Sequence, residues 1–298
     1  MGKESRTELP VKDHSERDLA DRILRERMEQ ISHKLLVLSG KGGVGKSTVA
    51  ANLATALAGA GKRVGLLDVD VHGPSVPKLM GLDGLPALGD DEVLHPVRSV
   101  KGVKVMSIGF LLPREDTPVV WRGPLKYHLI RQFLQQVDWG ELDFLVIDAP
   151  PGTGDEPLAV AELVRPRVLA VLVTTPQDLA VADVRRSVNF CNEVNLPIIG
   201  ILENMSGLAC PACGHRIELF KSGGGEKLAK ATGLRFLGSI PIDPKIVDCG
   251  DSGTPFAADP ATSPTAKAFA RAIEPILAVD AQPEVHTVSR PVRKRKAL

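Results

Sequence analysis

The stretch Gly40-Lys41-Gly42-Gly43-Val44-Gly45-Lys46-Ser47 constrains this chain more than any other feature. It fits the pattern G-x-x-x-x-G-K-[ST], and it stands between a short apolar run, Leu35–Leu38, and an alanine-rich segment, Lys46–Ala60, that reads as a helix. Strand, glycine turn and helix in that order curl backbone N–H groups around one point and add the positive end of a helix dipole. Such a cradle suits phosphate oxygens. Within it Lys46 reaches the β- and γ-phosphates of a nucleotide, the Ser47 hydroxyl binds Mg²⁺, and Thr48 stands by the α-phosphate. The candidate nucleotide-binding residues are therefore Gly40, Lys41, Gly42, Gly43, Val44, Gly45, Lys46, Ser47 and Thr48. The bland alternative is a glycine-rich strand–helix turn with no ligand.

Further apolar runs follow at Arg63–Leu67, Val103–Ile108, Phe144–Ile147, Val168–Val173 and Ile198–Leu202, with a helical segment at Gly123–Val137. The runs are continuous rather than alternating, which marks strands covered on both faces. Strand and helix in repeated succession predict an α/β fold: a doubly wound, mostly parallel sheet flanked by helices, the architecture of P-loop NTPases. We assign this unit to residues 34–282. Residues 1–33 form an extension. There Ser15 and Asp18 resemble a capping box, and Leu19, Ile23, Leu24, Met28 and Ile31 recur at helical spacing. The expectation is an amphipathic helix that docks on the core or on a partner. Residues 283–298, with Arg290, Arg293, Lys294, Arg295 and Lys296, read as a solvated basic tail.

Charge and composition narrow the partners. Lys+Arg total 37 against 36 Asp+Glu, a net charge of +1, so the chain carries no general basic coat for nucleic acid. Aromatics at 4% are too few for a base-stacking platform to be expected. The longest apolar run, Val168–Val173, falls far short of the roughly 20 residues that span a bilayer. The N-terminus is polar, without the hydrophobic region of a signal peptide. These features predict a cytoplasmic protein with no nucleic-acid or membrane partner. In a reducing compartment Cys191, Cys210, Cys213 and Cys249 are not expected to form disulfides.

Two acidic positions and one cysteine pair carry the remaining chemistry. Asp148 closes the run Phe144–Ile147, where a carboxylate at a strand end holds Mg²⁺ through water. Asp68 and Asp70 follow Arg63–Leu67, and a carboxylate there can orient an attacking water; His72 beside them reads as a loop residue. Cys210-Pro-Ala-Cys213-Gly makes a tight turn that points both sulfurs one way. Two thiolates are half of a four-sulfur site, and a symmetric dimer supplies the other half. A dimer-bridging Cys₄ zinc site would use the same ligands, and a redox dithiol is a third possibility. His215 reads as a surface residue, Cys191 as core, and Cys249 as a small loop residue.

Lys41, directly after the first glycine, resembles the extra lysine of the deviant Walker A ATPases, a class that includes MinD, ParA, the nitrogenase iron protein and the Mrp-type ATPases. Within it the chain is most similar to the Mrp-type iron–sulfur cluster carrier ATPases. The resemblance rests on Asp68–Ser75, Trp121–Pro124, Asp148–Asp155, Glu203–Ser206, Cys210–Cys213 and Ser222–Leu228, and runs through nearly all of residues 34–260. It implies a homodimer that hydrolyses ATP, holds a [4Fe–4S] cluster on Cys210 and Cys213 of both subunits, and passes it from an assembly scaffold to apo iron–sulfur proteins. It implies that Lys41 reaches the partner's ATP, that Asp70 positions water, and that Asn204 reads the adenine edge. Lys41, Lys46 and Asp70 are then the catalytic residues, with Mg²⁺ on Ser47 and, through water, on Asp148; residues 203–222 hold the metal-binding loop. Two competitors stand beside this reading: a positioning ATPase like ParA or MinD, and a zinc-bridged dimeric ATPase scaffold. The chain also departs from the family. Its 33 leading residues are too few for the small extra domain of many bacterial relatives, and the N-terminal cysteine cluster of the eukaryotic relatives is missing.

Overall fold

A computed structural model describes residues 14–71, 73–82, 87–88, 93–99, 101–111, 123–209, 215–256 and 263–281. The strands of the main sheet are β1 (Ile31–Ser39), β2 (Val64–Asp68), β3 (Val97–Arg98), β4 (Lys104–Ser107), β5 (Leu142–Asp148), β6 (Val168–Thr174), β7 (Ile198–Glu203) and β8 (Phe236–Ser239). Their spatial order is β8-β7-β6-β1-β5-β2-β4-β3. Every neighbouring pair is parallel except β3 with β4, at the edge. The doubly wound sheet expected from the continuous apolar runs is present.

Helices cover both faces. On one side lie α2 (Lys46–Gly59) and α9 (Pro264–Leu277); on the other lie α1 (His14–Glu29), α4 (Gly123–Gln136), α5 (Asp155–Leu163), α6 (Asp178–Glu193) and α7 (Gly224–Thr232). The central strand shows why its run is unbroken: Leu36 and Leu38 enter the core under α1, α4, α5 and α6, whereas Leu35 and Val37 enter the core under α2 and α9. Alanine suits α2 because ten of its residues, from Lys46 to Leu57, are buried between the sheet and α9. Two short helices, α3 (Val76–Leu79) and α8 (Pro244–Asp251), pack on each other beside the C-terminal strand ends.

The first helix is docked. Leu24 and Met28 are buried in the same core as Ile31, and Arg131 of α4 forms an ion pair with Asp21. Lys34 is fully buried, and its ammonium donates to the carbonyl oxygens of Met28 (2.8 Å) and Ile31 (3.3 Å). The first bond satisfies a carbonyl that the end of α1 leaves open, and the second a carbonyl at the start of β1. Burial, then the nearby Arg167, push the Lys34 ammonium down to about 8, with Glu29 partly opposing. Three sequence expectations are corrected here. The helix already includes His14, so Ser15 lies inside it rather than capping it. The first strand starts at Ile31, because a buried lysine satisfied by carbonyls does not break it. Cys249 lies in helix α8, not in a loop. Cys191 is in the core, where burial pushes its thiol up to about 12. Among the described residues no helix is long and apolar enough to cross a membrane.

Candidate functional site

Parallel strands bring their C-terminal ends to one edge of the sheet. β1 sits between β5 and β6, so the loop after it opens on the crevice where such folds hold ligands. Ser39, Asp68 and Asp148 end β1, β2 and β5, and Asp68 is the cross-strand partner of Asp148.

The turn from β1 into α2 is shaped for an anion. Gly45 precedes α2 in the left-handed region (φ +76°) and has no side chain with which to cap the helix. A Cβ there would run into the amide nitrogen of Asn204, so both the backbone angle and the space require glycine. Asn204 Nδ2 donates to the carbonyl of Val44 at 2.9 Å. The amide keeps its second N–H and its oxygen for another partner.

Lys46 and Asp148 form the centre of the site. The Lys46 ammonium donates to Asp148 Oδ1, and both side chains are buried, at 7% and 0% exposure. Asp148 Oδ2 is buried without a hydrogen-bond partner. Burial pushes the Asp148 carboxyl up; Lys46 and the Ser47 hydroxyl oppose that, and Asp70 adds to it. A buried carboxylate oxygen without a donor, beside a serine hydroxyl, is a donor set that suits a hard divalent cation.

Asp68 plays a different part. Oδ1 accepts from the backbone N–H of Asp70 (3.1 Å), and Oδ2 accepts from Val76 N (3.2 Å) and the Ser107 hydroxyl (3.0 Å). This carboxylate is fully engaged in holding the loop that carries Asp70. Burial, then the charge of Asp148, push it up to about 7.

Two cavities open at this edge of the sheet. The first, about 330 Å³, is lined by Gly45, Thr48 and Asn204 on one side and by Asp243, Ile246 and Val247 on the other. Its size is that of a small-molecule site. The second, about 640 Å³, brings Asp70 together with Pro150, Pro151 and Asp155 of the stretch after β5. Lys41 is half-buried at the mouth of the turn, where the Ser39 hydroxyl donates to its carbonyl at 2.9 Å. The structure places Asn204 against Val44 and Gly45 of the turn, Lys46 on Asp148, and Asp70 near enough for its charge to act on Asp148. His215 is exposed. Cys210 and Cys213 lie outside the described residues, as do His72, Trp121 and Arg122.

Sequence reasoning missed the far wall of the first cavity. Asp243-Pro244 does signal a helix start, since the Asp243 carboxylate caps α8 by accepting from Lys245 N at 3.0 Å. Nothing local says that β8 will lie beside β7 and carry α8 over the glycine turn.

Fold and site together define a P-loop NTPase. Residues 30–277 match the family described as NUBPL iron-transfer P-loop NTPase, within the ParA group. The chain belongs to this family. An iron–sulfur cluster carrier protein of Methanocaldococcus jannaschii is 50% identical over 235 residues, which is 79% of this chain and 81% of that one. A solved nucleotide-binding protein of Archaeoglobus fulgidus, in complex with ADP, is 44% identical with a TM-score of 0.70, over 78% of this chain and 91% of that one. The cell-division ATPase MinD of Pyrococcus furiosus shares the fold with a TM-score of 0.60 at 23% identity, over 83% of this chain and 99% of that one.

Proposed function

We propose that this protein is an ATP-hydrolysing homodimer that binds a [4Fe–4S] cluster and transfers it from an assembly scaffold to apo iron–sulfur proteins. The buried Lys46–Asp148 pair beneath the start of α2 carries the nucleotide half of the reading. Without nucleotide, Lys46 neutralises Asp148. A triphosphate offers Lys46 a more highly charged partner in the same crevice. The Ser47 hydroxyl and, through water, Asp148 Oδ2 would then hold Mg²⁺, which neutralises phosphate charge when bound. Thr48 stands by the α-phosphate, and the base enters the cavity between Asn204 and α8.

Hydrolysis needs a water aligned with the terminal phosphorus and charge to meet the departing oxygens. Asp70 is the group for the water, and Asp68 fixes where Asp70 stands. Lys41, at the mouth, supplies the second cation to the nucleotide of the facing subunit. The cargo half rests on family membership and on the Cys210/Cys213 pair. Two thiolates per chain make four across a two-fold axis, the ligand number of a [4Fe–4S] cluster. Residues 34–282, together with Ile31–His33 at the start of β1, form the nucleotide-binding unit; the residues before β1 are an extension docked through α1, and 283–298 a basic tail.

The test is Cys213→Ala, purified and reconstituted anaerobically. It is expected to lose cluster loading while binding a fluorescent ATP analogue as the parent does. A variant that still loads a stoichiometric, transferable cluster overturns the carrier reading.

A further inference from the structure

Glu203 is the last residue of β7 and is fully buried, yet every partner described for it is an uncharged donor. Oε1 accepts from the Ser206 hydroxyl at 2.6 Å and from Gly223 N at 2.9 Å. Oε2 accepts from Gly225 N at 2.6 Å. Ser206 begins the segment that carries Cys210 and Cys213, and Gly223 and Gly225 end it. One carboxylate therefore clamps both ends of the cysteine segment. A buried carboxylate is costly unless several donors surround it, and two of the three here come from the start of α7, one from its N-cap Gly223 and one from Gly225 in its first turn.

The clamp admits little slack. A Cβ on Gly225 would press on Glu203 Cβ at 3.1 Å and on Thr174 Cγ2 at 3.1 Å. Met205 (φ +57°) before the segment and Lys221 (φ +66°) near its end hold left-handed backbone that such side chains seldom adopt. Both turns are imposed by surrounding bonds rather than by local preference. Backbone bonds from Ser206 N to Ile240 O (2.9 Å) and from Ile242 N to Gly207 O (2.8 Å) join the start of the segment to the strip that lines the first cavity.

The residue after Glu203 is Asn204, whose amide grips Val44 of the glycine turn. Consecutive residues at one strand end thus hold the nucleotide turn and the root of the cysteine segment. We propose that Glu203 is a positioning residue through which nucleotide binding at the glycine turn sets the geometry of the segment carrying Cys210 and Cys213. This rests on the carrier reading for its purpose but not for its test, which uses protein without cluster.

Hydrogen exchange of residues 205–209 and 215–225 is measured with and without a non-hydrolysable ATP analogue and Mg²⁺. In the parent, nucleotide is expected to slow exchange there by about fivefold or more, the lower end of ordinary coupling between sites. In Glu203→Gln, which sets an amide N–H₂ against one backbone N–H, that response is lost while analogue affinity is kept. Ser206→Ala removes one bond of the clamp with less risk to folding, and a response smaller than the parent's is expected. A parent segment indifferent to nucleotide overturns the proposal. So does a Glu203→Gln protein that keeps the full response, or one that loses nucleotide affinity in step with it, since Glu203 would then only support Asn204. The carrier reading fails separately, by the Cys213→Ala result.

Discussion

Replacing Lys46 by Met tests the buried pair in protein free of nucleotide. The parent side chains are 7% and 0% exposed, so the variant leaves Asp148 without its cation in a site already near Asp68 and Asp70. Removing one partner of such a pair costs about 3–5 kcal/mol. The carboxyl can relieve part of this by taking a proton, because burial already pushes it up. The sign follows: a carboxyl raised in the folded state favours folding at low pH and loses that advantage as pH rises toward its folded value. The gap between parent and variant should therefore widen from pH 5 to pH 8, by at most about 1.4 kcal/mol per pH unit. Urea unfolding at each pH measures it. Adding Asp148→Asn to the variant removes the stranded charge and should recover most of the loss. A Lys46→Met protein less than about 1 kcal/mol below the parent at pH 8, or one not rescued by Asp148→Asn, refutes the reasoning.

Other expectations follow from the same geometry. Gly45→Ala meets Asn204 and an unfavourable φ of +76°, so nucleotide affinity should fall at least about tenfold by fluorescence titration, with the fold retained. The Asp68 carboxyl, at about 7 when folded, lies well above its unfolded value, so the nucleotide-free protein should lose stability as pH rises through the window from about 4 to about 7. Asp68→Asn should flatten that part of the curve in thermal unfolding. Met28 is fully buried at the end of α1, and Met28→Ala should cost about 2–5 kcal/mol; a neutral result would mean that α1 is not part of the folded core.

The sequence disclosed the parts whose signals are local. Continuous apolar runs located six of the eight strands of the main sheet, because strands covered on both faces need no polar alternation. The glycine turn was legible because its spacing encodes its own geometry. The misread boundaries have particular causes. Lys34 looks like a polar stop, yet carbonyls of α1 and β1 satisfy it within the core. The edge strand Val97–Arg98 and the strand Phe236–Ser239 are too short for a periodicity to register. By residue type and position Asp68 and Asp70 are equivalent acids; the family resemblance pointed to Asp70, and the three donors on Asp68 give the physical difference, making it the anchor of the loop. Glu203 lies in a segment that carried the resemblance, but its clamping part gave no signal, because Gly223 and Gly225, two of its three partners, are twenty residues or more away and bind through backbone.

The most direct measurement is native mass spectrometry of the anaerobically reconstituted protein, with iron, sulfide and zinc determined on the same sample. A cluster bridged by Cys210 and Cys213 of two subunits predicts a dimer carrying about four irons and four sulfides, and no zinc. Iron–sulfur bound stably to a monomer would contradict the bridging between subunits, and zinc that resists replacement at those cysteines would contradict the carrier reading and make the pair a structural clasp.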